Sequence, residues 1–129
     1  YLEQKDYGAA LKHYFKVDYL DPKSSKAWRP IAWCSFLIGK CDQAQRYYEK
    51  ILSEKPSTLD FMNAGHVEFA LGNIRKAIEL YRQSVAADNN DMQKFLHNFS
   101  QDTAELIHAG ISANDIPILL DQLMYSVSQ

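Results

Sequence analysis

Residues 28–56 read WRPIAWCSFLIGKCDQAQRYYEKILSEKP, and the fold is decided by that stretch. Gly39 sits where one helix ends and the chain must turn, a position that favours positive φ. Ala44 is small where two helices of a hairpin approach closely. Tyr48, one turn further along the same face, fills the space beside that contact. Pro56 closes the unit, because proline cannot continue a helix interior.

The same positions recur outside the stretch. Counting back 34 residues, Tyr7, Ala10, Tyr14 and Pro22 fall on Cys41, Ala44, Tyr48 and Pro56. Counting forward 33, Trp28, Gly39, Ala44 and Tyr48 fall on Phe61, Gly72, Ala77 and Tyr81. Gly65 belongs to this third copy, and Asn89 stands where its proline would be. The first copy, with Tyr1, Tyr7, Ala10, Tyr14 and Pro22, is truncated. Recurrence at one period with this residue content resembles the tetratricopeptide repeat family, whose signature runs Trp-x2-Leu-Gly-x2-Tyr, Gly, Ala-x3-Phe, Pro. The resemblance covers about residues 1–89. It implies an all-α fold, an α-α superhelix of tetratricopeptide-type hairpins, with residues 90–129 as C-terminal capping helices of the same domain.

Helices are expected near 6–19, 25–38, 42–54, 58–71 and 74–87. A longer one is expected at about 91–109, with Met92, Phe95, Leu96, Phe99, Leu106 and Ile107 on its apolar face and Gly110 as its stop. The last runs from Asp115 to Val127, with Pro117 in its first turn. Asp42 with Gln45 reads as a capping box, and Ser57 with Asp60 as a weaker form of one. Pro30 falls within the second unit's first helix, so that helix either starts late or has a distorted first turn.

Composition narrows the function classes. Apolar residues make up 47% and charged residues 23%, and the formal charge is −2. Lys and Arg are dispersed among acids, so no basic stripe suits nucleic acid. No apolar run approaches the roughly 18 residues of a membrane span. The segment from Tyr1 to Asp6 does not resemble a signal peptide, and the chain is expected to begin partway through a longer protein. A cytoplasmic location is the expectation. Cys34 and Cys41 are placed poorly for a disulfide and read as free thiols.

In the resembled family the first helix of each unit lines a concave groove. That implies Arg29, Trp33 and Phe36 from one unit and Met62, Asn63, His66 and Phe69 from the next as lining residues, with Lys26 and Leu59 beside them. Residues 27–38 are apolar almost all round, so a helix there needs cover on more than one side. Two readings follow. In one, Trp33, Phe36, Met62 and Phe69 hold an apolar or aromatic segment of a partner while Arg29 and His66 add polar selection. In the other, the chain's own helix near 91–109 or 115–127 fills that face. A clamp for a partner's C-terminal carboxylates is not expected, because Pro30 occupies the counterpart of Asn63.

The expected function is therefore a protein–protein interaction module. The alternative is a self-assembly element forming a homo-oligomer through its truncated first repeat. No cofactor or metal is expected, since His13, His66, His97 and His108 lack ligand spacing. Cys34 with His66 is the one pairing that resembles a nucleophile and base, and a buried thiol beside an unrelated imidazole explains it better. No catalytic residue is expected.

Overall fold

Local sequence sets where each helix begins and ends. The protein was analysed as a computed structural model, which describes residues 6–128. Tyr1, read as a repeat position of the first copy, lies outside them. The described residues form eight helices and no strand: α1 Tyr7–Leu20, α2 Trp28–Leu37, α3 Cys41–Leu52, α4 Thr58–Ala70, α5 Ile74–Ala87, α6 Met92–Gln101, α7 Thr103–His108 and α8 Asp115–Val127. The chain divides into two compact units, one ending at Lys55 and the other beginning at Pro56. That division falls at the end of a repeat, at the proline that closes it. Helices α6 to α8 belong with α4 and α5.

In the first unit α2 packs on α1 and α3. Ala10, Leu11, Ala27, Ile31 and Cys34 form its buried centre, with Tyr7, Tyr14, Phe15, Val17 and Tyr47 around them. Helix α2 starts late, at Trp28, which places Pro30 in the first turn. The N–H that proline lacks would have had no intrahelical partner there, so Pro30 is accommodated rather than disruptive. The α2–α3 turn closes with the Lys40 N–H on the Ser35 carbonyl at 2.8 Å, and Gly39 takes φ +86°. Across that hairpin Gln43 Nε2 donates to Ser35 Oγ at 2.8 Å. The capping box expected at Asp42 is absent. Helix α3 begins one residue earlier, with Lys40 as its cap and no side-chain hydrogen bond there.

In the second unit the box at Ser57 and Asp60 is complete. Ser57 Oγ accepts from the Asp60 N–H and Asp60 Oδ2 accepts from the Ser57 N–H. Helices α4 and α5 pack against each other, and Gly65 makes their close approach feasible. A Cβ there would lie 2.6 Å from Cε1 of Tyr81. Ser84 Oγ donates to the Thr58 carbonyl at 2.8 Å and ties the end of α5 to the start of α4. The α4–α5 turn repeats the α2–α3 closure, with Gly72 at φ +85°. Where a proline would close this repeat, Asn89 and Asn90 instead take φ of 58° and 60°. Asparagine tolerates that left-handed region better than other chiral residues.

The helix expected over 91–109 is interrupted at Asp102, which ends α6 and begins α7. Of its expected apolar face, Phe95, Phe99 and Leu106 are buried, Met92 and Leu96 are half-buried, and Ile107 is exposed. Helix α8 keeps its expected bounds and packs on α5 through buried Ile116, Leu119 and Leu123.

Candidate functional site

Arg29, Trp33 and Phe36 lie on α2 at spacings of four and three residues, so they share one helical face. Phe36 is buried, Trp33 is half-buried and Arg29 is exposed, as is Lys26 just before the helix. The Trp33 and Phe36 rings are 5.3 Å apart and tilted by 30°, so the inner ring backs the outer one. Beside Arg29, a recess of about 270 Å³ is lined by Ser25, Trp28, Arg29, Ile51, Glu54 and Lys55. The ammonium of Lys50 stands 5.7 Å from the Trp28 ring and 4.6 Å from that of Tyr47, which fixes a cation on this flank.

In the second unit the expected lining is placed differently. Asn63 is half-buried and Leu59 exposed, but Met62, His66 and Phe69 are buried. His66 does not offer polar selection to a partner. Its Nδ1 lies 2.7 Å from the Tyr81 hydroxyl and its Nε2 lies 2.9 Å from Asp102 Oδ2. Its ring meets Phe99 edge-on at 5.3 Å. Phe69 faces α8, where it shares a recess of about 230 Å³ with Ile74, Asp115, Ile118, Leu119 and Gln122. The chain's own C-terminal helices thus cover the His66 and Phe69 face of α4. A helix face reads the same in sequence whether a partner or a later segment covers it, which is why both readings stood.

The Tyr81–His66–Asp102 chain can be assigned from its donors. Burial pushes the Tyr81 phenol well above its usual range, and the Asp102 carboxylate adds to the shift. The phenol therefore keeps its proton and donates to Nδ1, while Nε2–H donates to Asp102; this tautomer is inferred from the network. Tyr81 packs against Phe95 and Phe99 at 5.6 and 5.4 Å. The arrangement joins α4, α5 and the α6–α7 break. Tyr81 had a signal in the repeat; Asp102 had none beyond being an acid in a segment that could reach a buried imidazole.

Both ring nitrogens of His66 are committed, which removes the base from the Cys34–His66 pairing. Cys34 and Cys41 are free, and burial raises both thiols above their usual range, opposite to the shift an activated nucleophile needs. Among the described residues no three His, Cys, Asp or Glu side chains gather to hold a metal ion, and no helix is long and apolar enough to cross a membrane.

Comparison with known proteins agrees with the repeat. The family described as tetratricopeptide repeat matches residues 61–91. Hsp70-Hsp90 organizing protein 1 of Glycine max is 28% identical over 92 residues, which is 70% of this chain and 16% of that protein. Hsp70-Hsp90 organizing protein of Triticum aestivum is 26% identical over the same shares of each. The chain thus spans about a sixth of the length of these relatives.

Proposed function

We propose that this chain, a tetratricopeptide repeat protein and so a protein–protein interaction module, holds an apolar or aromatic segment of another protein against the first helix of a repeat. The observation that carries this reading is the placement of Trp33. It is half-buried, is backed by buried Phe36, and has Arg29 one turn away on the same face. An aromatic anchor on a rigid helix beside an arginine is the composition of an interface hot spot. Phe36, Met62, His66 and Phe69 are buried.

The relatives' names couple them to Hsp70 and Hsp90, which makes those chaperones the first partners to test. Calorimetric titration of the chain with each, repeated for Trp33→Ala and Arg29→Ala, examines the proposal. Trp33→Ala is expected to weaken binding at least about tenfold, the scale of a hot-spot aromatic. Binding that survives both substitutions unchanged would remove the α2 face from the account. Absence of binding to either chaperone would remove the partner class and leave the face to be tested with another ligand.

A further inference from the structure

Two exposed faces, one on α1 and one on α8, are complementary in charge. On α1, Lys12, Lys16, Tyr19 and Leu20 follow the four-and-three spacing of a single helical face. Tyr19 is 83% and Leu20 71% exposed, the two large apolar side chains most open to solvent among the described residues. Exposed Lys12, Lys16 and Lys23 surround them, with Asp21 the one exposed acid beside Leu20. On α8, Asp115, Ile118, Gln122 and Tyr125 likewise share one face, with Asp121 at its edge. Ile118 is 55% and Tyr125 70% exposed, and the helix carries two acids and no base. Ile118 also forms part of the 230 Å³ recess with Phe69 and Ile74.

We infer that a second copy of this chain seats the C-terminal end of its α1 on α8, with Leu20 entering the recess and Tyr19 lying against Ile118 and Tyr125. Lysines around the inserted pair then face Asp115 and Asp121. Clusters of apolar residues rimmed by charge are the surfaces that proteins use to associate. Because the two patches differ, the contact is heterologous. After one such contact one copy keeps its α8 patch and the other its α1 patch, so further copies add head to tail.

Sedimentation velocity of the purified chain across a concentration series reads this directly. The sedimentation coefficient should climb with concentration at low salt and climb less at high salt, where the lysine–aspartate attraction is screened. Leu20→Asp and Ile118→Asp, each checked for unchanged helix content by circular dichroism, should both sediment as monomers. An equimolar mixture of the two should form a dimer and go no further, since one variant supplies an intact α8 face and the other an intact α1 face. A wild-type chain that stays monomeric at every concentration overturns the inference. So does a mixture that remains monomeric while the wild type associates.

Discussion

Asp102 Oδ2 sits 2.9 Å from Nε2 of buried His66, and Asp102 is also the residue at which the segment after α5 stops being one helix. The two facts are linked. An aspartate at a helix end can turn inward to a partner without breaking a helical hydrogen bond, whereas in an interior turn it competes with the backbone. Asp102 is 26% exposed, so its charge keeps some contact with water while serving a fully buried imidazole. Among the described residues no buried side-chain nitrogen or oxygen lacks a partner, and this contact is part of the reason.

Replacing Asp102 by Ala should leave the His66 Nε2–H without an acceptor inside the second unit. A buried donor stranded in this way costs about 1–3 kcal/mol. Urea unfolding should show that loss, and Asp102→Asn, which retains an acceptor oxygen, should recover part of it. A D102A variant as stable as the wild type would mean that the imidazole finds water instead.

Tyr81 predicts a decline in stability at alkaline pH. Its phenol is held above the usual range by burial and then by Asp102, so the native state keeps the proton more tightly than the unfolded chain. Its contribution is complete below about pH 10 and is lost as pH rises from there towards the native value. Tyr81→Phe should be less stable at neutral pH, because His66 Nδ1 loses its donor, yet should decline less steeply above about pH 10. Parallel declines for the two proteins would assign the alkaline loss to other groups.

Gly65→Ala tests the close approach of α4 and α5. The added methyl would meet the side of the Tyr81 ring, and overpacking of this kind costs about 1–3 kcal/mol. The corresponding position in the first unit is Ala32, which is buried there and already carries the methyl that Tyr81 excludes at Gly65. A Gly65→Ala variant with an unchanged thermal midpoint would show that the α4–α5 approach is not limited by Tyr81.

Ser57→Ala should destabilise by about 0.5–2 kcal/mol, since it removes an observed N-cap. Asp42→Ala should cost less, because α3 has no side-chain cap and only the favourable placement of an acid in its first turn is lost. Chemical denaturation of both variants checks the order.

Much of the first five helices was legible because small, large and turn residues recur at one period. Ala10, Ala44 and Ala77 are all fully buried, as the spacing requires, and Gly39 and Gly72 both adopt positive φ. The late start of α2 was one of two outcomes Pro30 allowed. What could not be read lies after residue 89, where the signature lapses. Nothing local distinguishes Asp102 from an ordinary helical surface acid; its role depends on a histidine 36 positions earlier. The burial of Met62, His66 and Phe69 was hidden for a related reason, since a face covered by the chain's own later helices has the same periodicity as one awaiting a partner. Within the first unit Trp33 is half-buried and Arg29 exposed.

The central claim, that Trp33 on α2 contacts a bound protein, is tested most directly by the indole N–H signals of the chain, which has two tryptophans. Trp33→Phe identifies which signal is which. On titration with a chaperone shown to bind, the Trp33 signal should shift in proportion to occupancy while the Trp28 signal, whose ring lies under Lys50, stays nearly fixed. A saturating complex in which the Trp33 signal does not move would contradict the account.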